Sequence, residues 1–333
     1  MKVMLIGGTG TISSAVVESL LKRGDEVVLL NRGNNAAPDG VRLIKADIHR
    51  EDEVRALLDG EQFDCVCEFT GFVAEDALRD IRLFSGKTGQ FIYISSASAY
   101  EKPVRSYPIT EKTPLINPYW EYSRNKAISE DIYFKAYREE GFPVTVVRPS
   151  HTFNEKRLPT AFHGKKGPWQ IVKRILDGKA VILPGDGTSL WTTTFSSDFA
   201  VGFTGLIGNK AAIGEAFHIT TDEVMSWNQI YGTIAAALGR EARIVHIPSE
   251  ILAADDPGWD LEGQLLGDKS NSVIFDNTKI KSFVPEYHCV ISMAEGLSRA
   301  ARYMAEHPED QVGDPEFDQW CDQEIARYGR DAI

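Results

Sequence analysis

The stretch Lys2-Val3-Met4-Leu5-Ile6-Gly7-Gly8-Thr9-Gly10-Thr11-Ile12-Ser13 decides the fold. It opens with a short apolar run that ends in a cluster of glycines. Ser13–Lys22 then carries Val16, Val17, Leu20 and Leu21 at helical spacing, with Gly24 as a stop signal. Glycines between a strand and a helix let the backbone bend sharply and approach a pyrophosphate, whose charge the helix N-terminus meets. Tight turns use glycine for other reasons too, so the wider pattern has to decide.

That pattern continues for about half the chain. Apolar runs at Glu26–Leu30, Arg42–Lys45, Phe63–Glu68, Gln90–Ser95 and Val144–Arg148 alternate with helical patterns that include Glu51–Leu58 and Lys126–Glu140. Strands with near-continuous apolar faces, separated by helices, predict a parallel sheet covered on both sides. The right-handed crossover rule leaves an α/β fold with a doubly wound sheet. We expect a dinucleotide-binding domain over 1–150. After Pro149 the regularity breaks, and 151–333 reads mainly as a smaller substrate-binding lobe with C-terminal helices, the chain returning to the first domain around 192–205. Phe317, Trp320 and Ile325 predict a last, packed helix within the acidic tail, Glu306 to Ile333.

Composition narrows the class. The chain has 333 residues and a net charge of −12, which argues against a general nucleic-acid binder because phosphate contacts need a basic face. No apolar run approaches the ~20 residues that span a bilayer. The start reads as a strand and not a signal peptide, so the expectation is a cytoplasmic protein without a membrane partner. Cys65 and Cys67 share a face of one strand, Cys289 and Cys321 stand apart, and no metal-ligand spacing is present; buried thiols are expected and no metal.

Two segments turn a nucleotide-binding fold into an enzyme. One strand ends Ile94-Ser95-Ser96-Ala97-Ser98-Ala99-Tyr100, and Tyr122-Ser123-Arg124-Asn125-Lys126 opens a helix. Residues four apart share a helix face, so Lys126 stands beside Tyr122, and its ammonium is expected to draw the phenol down from about 10. Ser96 would hydrogen-bond the substrate oxygen while Tyr122 gives or takes its proton. The second strand ends Leu30-Asn31-Arg32, where an acidic residue would hold a ribose 2′-hydroxyl. Asn31 is neutral, and Arg32 either grips a 2′-phosphate or is an ordinary solvated arginine. The balance favours NADP over NAD.

On these residues the chain resembles the extended short-chain dehydrogenase/reductases, in the NAD-dependent epimerase/dehydratase family, with a Rossmann domain. The matching stretches are Gly7–Ser13, Asp47-Ile48, Ser95–Tyr100, Tyr122–Lys126, Arg148-Pro149, Gly185-Asp186-Gly187 and Asp198-Phe199-Ala200, followed by a later match at Phe275–Lys279. The resemblance implies that Gly7, Thr9, Gly10, Thr11 and Ile12 line the pyrophosphate, Asp47 and Ile48 edge the adenine, Thr70 and Gly71 the ribose, and Pro149 and Ser150 the nicotinamide. Ser96, Tyr122 and Lys126 take the catalytic roles. It also implies a homodimer through Ala74–Phe84 and Lys126–Glu140, with Ala127, Ile132, Tyr133 and Ala136 offering apolar surface.

Three departures bear on the reaction. The Asp-Glu pair of sugar 4,6-dehydratases is replaced by Ala97-Ser98, so that elimination lacks its acid and base. Where nucleotide-sugar enzymes commonly set an arginine after the Gly-Asp-Gly turn, this chain has Trp191. The usual Tyr-Gly after Arg-Pro is replaced by Ser150-His151. The basic residues Lys156, Arg157, Lys165, Lys166, Lys173 and Arg174 either focus an anionic substrate or form a solvated loop. His151, Asn154 and Arg157, with Ser96, are the candidate substrate contacts. The expectation is an NAD(P)-dependent oxidoreductase or epimerase acting at a secondary alcohol or ketone of a sugar or nucleotide-sugar-like small molecule. The alternatives are an NADPH-dependent ketone reductase on a non-sugar substrate, or a non-catalytic nucleotide-binding regulator or RNA-associated protein of this fold.

Overall fold

β1 (Lys2–Ile6), β2 (Glu26–Asn31), β3 (Val41–Lys45), β4 (Cys65–Glu68), β5 (Phe91–Ile94) and β6 (Val144–Pro149) form one parallel sheet in the order β6-β5-β4-β1-β2-β3. A seventh strand, Ala216–Ile219, joins parallel to β6. This is the arrangement of the computed structural model, which describes residues 1–329. Every residue of β4, β5 and β6 is buried, as expected for strands covered on both faces.

Helices supply those covers. α1 (Thr11–Arg23) packs with helix Ser196–Leu206 on one face, where Val16, Val17 and Leu20 meet Phe199 and Phe203. α2 (Glu51–Leu57), α3 (Ala74–Phe84) and α4 (Glu121–Glu140) lie along the other. α4 begins five residues before Lys126, so Tyr122 and Lys126 stand one turn apart on the same helix. Its apolar stripe faces the sheet: Tyr133 packs on Phe91, Tyr93 and Phe142, and its hydroxyl donates to Asp80 Oδ2 at 2.7 Å. Tyr133 and Ala136, expected on a docking surface, are therefore inside the protomer. Among the apolar residues left outward on α3 and α4 are Leu78, 46% exposed, Ile128, 48% exposed, and Tyr137, 38% exposed.

The second half builds a separate core around Trp227, Ile230, Ile234, Leu297 and Trp320. Strands Val181–Pro184 and Ile244–Ile247 pair parallel there, among helices Trp169–Leu176, Trp227–Ala237, Met293–Glu306 and Pro315–Tyr328. In the last helix Phe317 and Trp320 are buried and Ile325 packs against the same core; residues 330–333 of the tail lie outside the described residues. Among the described residues, no helix is long and apolar enough to cross a membrane.

Candidate active site

The turn after β1 passes through Gly7 and Gly8 at φ 103° and 93°, a region that glycine alone enters freely. A Cβ on Gly8 would run into the Leu29 side chain of β2. Gly10 caps α1, and its N–H donates to Ser13 Oγ at 2.9 Å. The carboxyl ends of β1, β2 and β4 thus open on a crevice of about 410 Å³ lined by Gly7, Thr9, Asn31, Arg32, Asp47, Ile48, His49, Thr70 and Phe72, among others. It sits between β1 and β4, where the strand order reverses and open parallel sheets hold their ligands. Gly10, Thr11 and Ile12 lie on the turn and at the first helical residues, outside the lining of this crevice.

Asn31 braces the turn from the second strand. Its Nδ2 donates to the Gly7 carbonyl at 2.9 Å, and its Oδ1 accepts from the Gly33 N–H at 2.8 Å. Arg32 is exposed at the crevice edge. Asp47 Oδ1 accepts from the His49 N–H at 3.1 Å, which closes a short turn beside the pocket. A cradle that excludes Cβ atoms, a helix N-terminus and a crevice at the switch point together fit a dinucleotide.

The candidate reacting groups meet at the next strand ends. Ser96 follows β5 in extended conformation, and its Oγ lies 2.8 Å from Ser98 Oγ, which in turn accepts from Ser123 Oγ at 2.8 Å. Burial pushes the Tyr122 phenol above its ordinary value, and the Ser96 hydroxyl opposes that shift. Lys126 does not supply the expected downward pull. Its Nζ donates to the Gly71 carbonyl at 2.7 Å and the Ile94 carbonyl at 2.8 Å, beneath the rings of Phe72, Tyr93 and Tyr122. Burial lowers Lys126 to about 8, with Glu68 and Glu130 opposing. Two of its three N–H groups are therefore engaged.

Glu68, fully buried at the end of β4, holds the neighbouring turn. Its Oε1 accepts from the Thr70 backbone N–H and from Thr70 Oγ1, while Arg79 approaches its other oxygen at 3.3 Å. The carbonyl that holds Lys126 belongs to Gly71, the next residue of that turn.

A second cavity of about 240 Å³ opens beside Tyr122. Ser96, Pro149, Ser150 and His151 line it, together with Ala97, Ser98, Trp120, Trp191, Asp268, Lys269, Val273 and Phe275. Burial lowers His151 to about 3, which leaves the ring neutral, and Trp191 Nε1 donates to its Nδ1 at 3.4 Å. Asn154 and Arg157 are not part of this lining; they bridge each other, the Arg157 N–H donating to the Asn154 carbonyl at 3.2 Å.

The basic stretch, read either as an anion site or as a solvated loop, has three of its cations next to acids. Lys156 lies 3.7 Å from Asp310, Lys173 pairs with Asp177, and Arg174 is buried against Asp318 and Asp322. Acids of the last helix answer Arg174, Asp310 just before that helix lies near Lys156, and a local acid answers Lys173. The cation that reaches the cavity is Lys269, which the sequence reading missed along with Trp120, Asp268, Val273 and Phe275. Trp120 stands two residues before Tyr122 and offered a local signal. Asp268 and Lys269 offered none, being about 150 residues away in no motif.

A glycine-cradled crevice at the carboxyl end of a parallel sheet, with a cluster of serine, tyrosine and lysine at the neighbouring strand ends, defines a dinucleotide-binding enzyme fold. The chain belongs to the NAD dependent epimerase/dehydratase family, whose model matches residues 3–220, and the family is one of NAD-binding oxidoreductases and epimerases. It is similar to 2′-dehydrokanamycin reductase of Streptomyces kanamyceticus, 27% identical over 255 residues, 75% of this chain and 70% of the relative. It is also similar to the chloroplast stem-loop binding protein of 41 kDa b of Arabidopsis thaliana, 26% identical over 261 residues, 74% of this chain and 65% of the relative. Among solved structures, UDP-glucuronic acid 4-epimerase from Bacillus cereus, in complex with UDP-glucuronic acid and NAD, superposes with a TM-score of 0.73 at 20% identity, covering 92% of this chain and 99% of that one. At that identity the likeness is one of fold.

Proposed function

We propose that this protein is an NAD(P)-dependent oxidoreductase or epimerase acting at a secondary alcohol or ketone of a sugar or sugar-like small molecule. The observation that carries this reading is the meeting of Ser96 and Tyr122 at the wall of the small cavity, with Lys126 anchored one helical turn below. Bound in the larger crevice, a nicotinamide dinucleotide supplies the hydride acceptor or donor. Tyr122 gives or takes the proton at the substrate oxygen, and Ser96 hydrogen-bonds that same oxygen. The Ser98 and Ser123 hydroxyls orient Ser96. Gly7, Thr9, Gly10, Thr11 and Ile12 hold the pyrophosphate, Asp47 and Ile48 the adenine, Thr70 and Gly71 the ribose, and Pro149 and Ser150 face the nicotinamide.

Arg32, on the crevice edge beside a neutral Asn31, supports NADP as the preferred form. An RNA-associated role is disfavoured by the net charge of −12 and by the retained Tyr122 and Lys126. Leu78 and Ile128 support a homodimer through α3 and α4. Tyr122→Phe tests the assignment, because it removes only the transferable proton. Cofactor affinity should stay within about threefold, and turnover should fall by roughly 10²–10⁴-fold, read as nicotinamide absorbance against a panel of sugars. Turnover within about threefold of wild type would refute the mechanism.

A further inference from the structure

We infer that Asp268 and Lys269, set between the indoles of Trp120 and Trp191, hold the non-reacting hydroxyls of a small polyhydroxylated ring, so that the substrate is an unlinked sugar or cyclitol and not a nucleoside-diphosphate sugar. The inference rests on the reading of Ser96 and Tyr122 as the reacting end of the same cavity.

The cavity combines polar side chains with aromatic walls. In the same lining as the serine and tyrosine hydroxyls, Lys269 Nζ lies 2.8 Å from Asp268 Oδ2, both side chains 12% exposed, and the Asp268 charge is near enough to help burial raise the Tyr122 phenol. The same Nζ stands 5.4 Å from the Trp120 ring centre and 5.6 Å from that of Trp191. The pair is fixed from behind: the Lys269 carbonyl accepts from Ser189 Oγ and from Trp227 Nε1, each at 3.1 Å. The walls are fixed as well. Trp120 Nε1 donates to Asp260 Oδ2 at 2.7 Å, Trp191 stacks on Trp227, and Gly263 and Gly267 leave the room that the Trp120 side chain fills.

Such a subsite has a definite chemistry. A carboxylate that only accepts and an ammonium that only donates, side by side, match a vicinal hydroxyl pair, one hydroxyl giving and the other receiving. Indole faces pack against the C–H faces of a ring while its polar edge reaches the charged pair.

A diphosphate meets the opposite conditions. It needs cations that are not already balanced, whereas Lys269 is already paired with Asp268, whose carboxylate would repel the anion. Among the described residues, no arginine lines the cavity. Lys102, the other lysine near Asp268, is buried outside the lining, and burial lowers it from its usual range. Size agrees with charge: about 240 Å³ falls below the roughly 300–1,000 Å³ of pockets that take drug-sized ligands.

The test uses the full-length protein loaded with NAD and titrated calorimetrically with four probes: methyl α-D-glucopyranoside, D-glucosamine, myo-inositol and UDP-glucose. At least one unlinked probe should bind more tightly than UDP-glucose. Asp268→Asn and Lys269→Met should each weaken that binding about ten- to a hundredfold, the loss of one charge-assisted hydrogen bond. Both variants should keep wild-type NAD affinity and melting temperature, which separates a lost contact from a lost fold. Tighter binding of UDP-glucose than of every unlinked probe overturns the inference, as does unchanged affinity in both variants or no binding by any unlinked probe. The catalytic reading fails separately, if Tyr122→Phe retains turnover while the two subsite variants behave as expected.

Discussion

Replacing Arg32 by alanine should erase a preference for NADP, and the geometry around Asn31 sets the size of the effect. Arg32 stands exposed at the rim of the cofactor crevice, next to a side chain without charge. A 2′-phosphate there gains charge-assisted, bidentate hydrogen bonds worth about 1.5–3 kcal/mol when sheltered. Exposure places the contact at the lower end, because solvent screens surface ion pairs. The expected preference is about tenfold, or about 1.4 kcal/mol. Asn31→Asp is not the neutral swap that the sequence invites. Its Nδ2 now donates to the Gly7 carbonyl, and a carboxylate would set oxygen against oxygen at 2.9 Å. The double variant Asn31→Asp, Arg32→Ala should therefore turn the preference towards NAD while lowering stability by about 1–3 kcal/mol, the penalty for stranding a partly buried acceptor. Calorimetric titration of both oxidised cofactors at one fixed ionic strength measures this, and raising the salt should shrink the NADP advantage. Equal affinity of the wild type for the two cofactors would refute the reasoning, as would an Arg32→Ala variant that weakens both equally.

Further outcomes follow from buried charge and exposed apolar surface. Lys126 titrates near 8 in the folded protein against 10.5 unfolded, so between those values the unfolded chain binds more protons and stability rises with pH. Chemical denaturation of wild type and Lys126→Met across pH 7–10 should show a relative gain for wild type approaching ~3 kcal/mol, and a flat difference would count against the lowered proton affinity of the buried lysine. Arg148 pairs with Glu130 at 2.5 Å in the interior, so Arg148→Met, which leaves that carboxylate unpaired, should destabilise by about 3–5 kcal/mol in urea denaturation. Light scattering at micromolar concentration should give a dimer mass for wild type and a monomer mass for Leu78→Glu combined with Ile128→Glu.

The parts of this molecule legible in the sequence are those whose signals are local. Gly7, Gly8 and Gly10 mark a turn that only small residues make, and the four-residue spacing of Tyr122 and Lys126 puts both on one face of α4 whatever lies around it. Orientation around a helix was less legible. Tyr133 and Ala136 are apolar enough to suggest a docking face, yet a helix laid on a sheet turns its apolar stripe inward. What remained unreadable depends on tertiary partners. The basic run from Lys156 to Arg174 looks like an anion site until Asp310, Asp318 and Asp322 arrive from the C-terminal helices. Asp268 and Lys269 reach the cavity on a helical segment, Glu262–Lys269, that carries no recognisable motif.

The charge beneath the site shows why the Tyr-Lys pair alone understates what the fold has built. Lys126 is almost wholly buried, and burial by itself drives a lysine towards its neutral form. Glu68 is the foremost charge acting against that loss, and it is buried too, its own proton affinity raised by the lack of water. Arg79 answers Glu68 at 3.3 Å, Asp76 at 2.7 Å and Asp80 at 2.7 Å, so one guanidinium serves three carboxylates. Asp80 in turn accepts from the Tyr133 hydroxyl on α4, the same helix that carries Tyr122 and Lys126. The network ties β4, α3 and α4 together where they frame the Thr70–Gly71 turn, and the Gly71 carbonyl fixes the ammonium in place. Buried ionic groups are a weak source of net stability but strong against rearrangement, since removing one partner strands another without water. At this site their consequence is geometric: the Gly71 and Ile94 carbonyls hold Lys126 beside Tyr122, and no rotation of α4 can occur without breaking charges that have nowhere else to go.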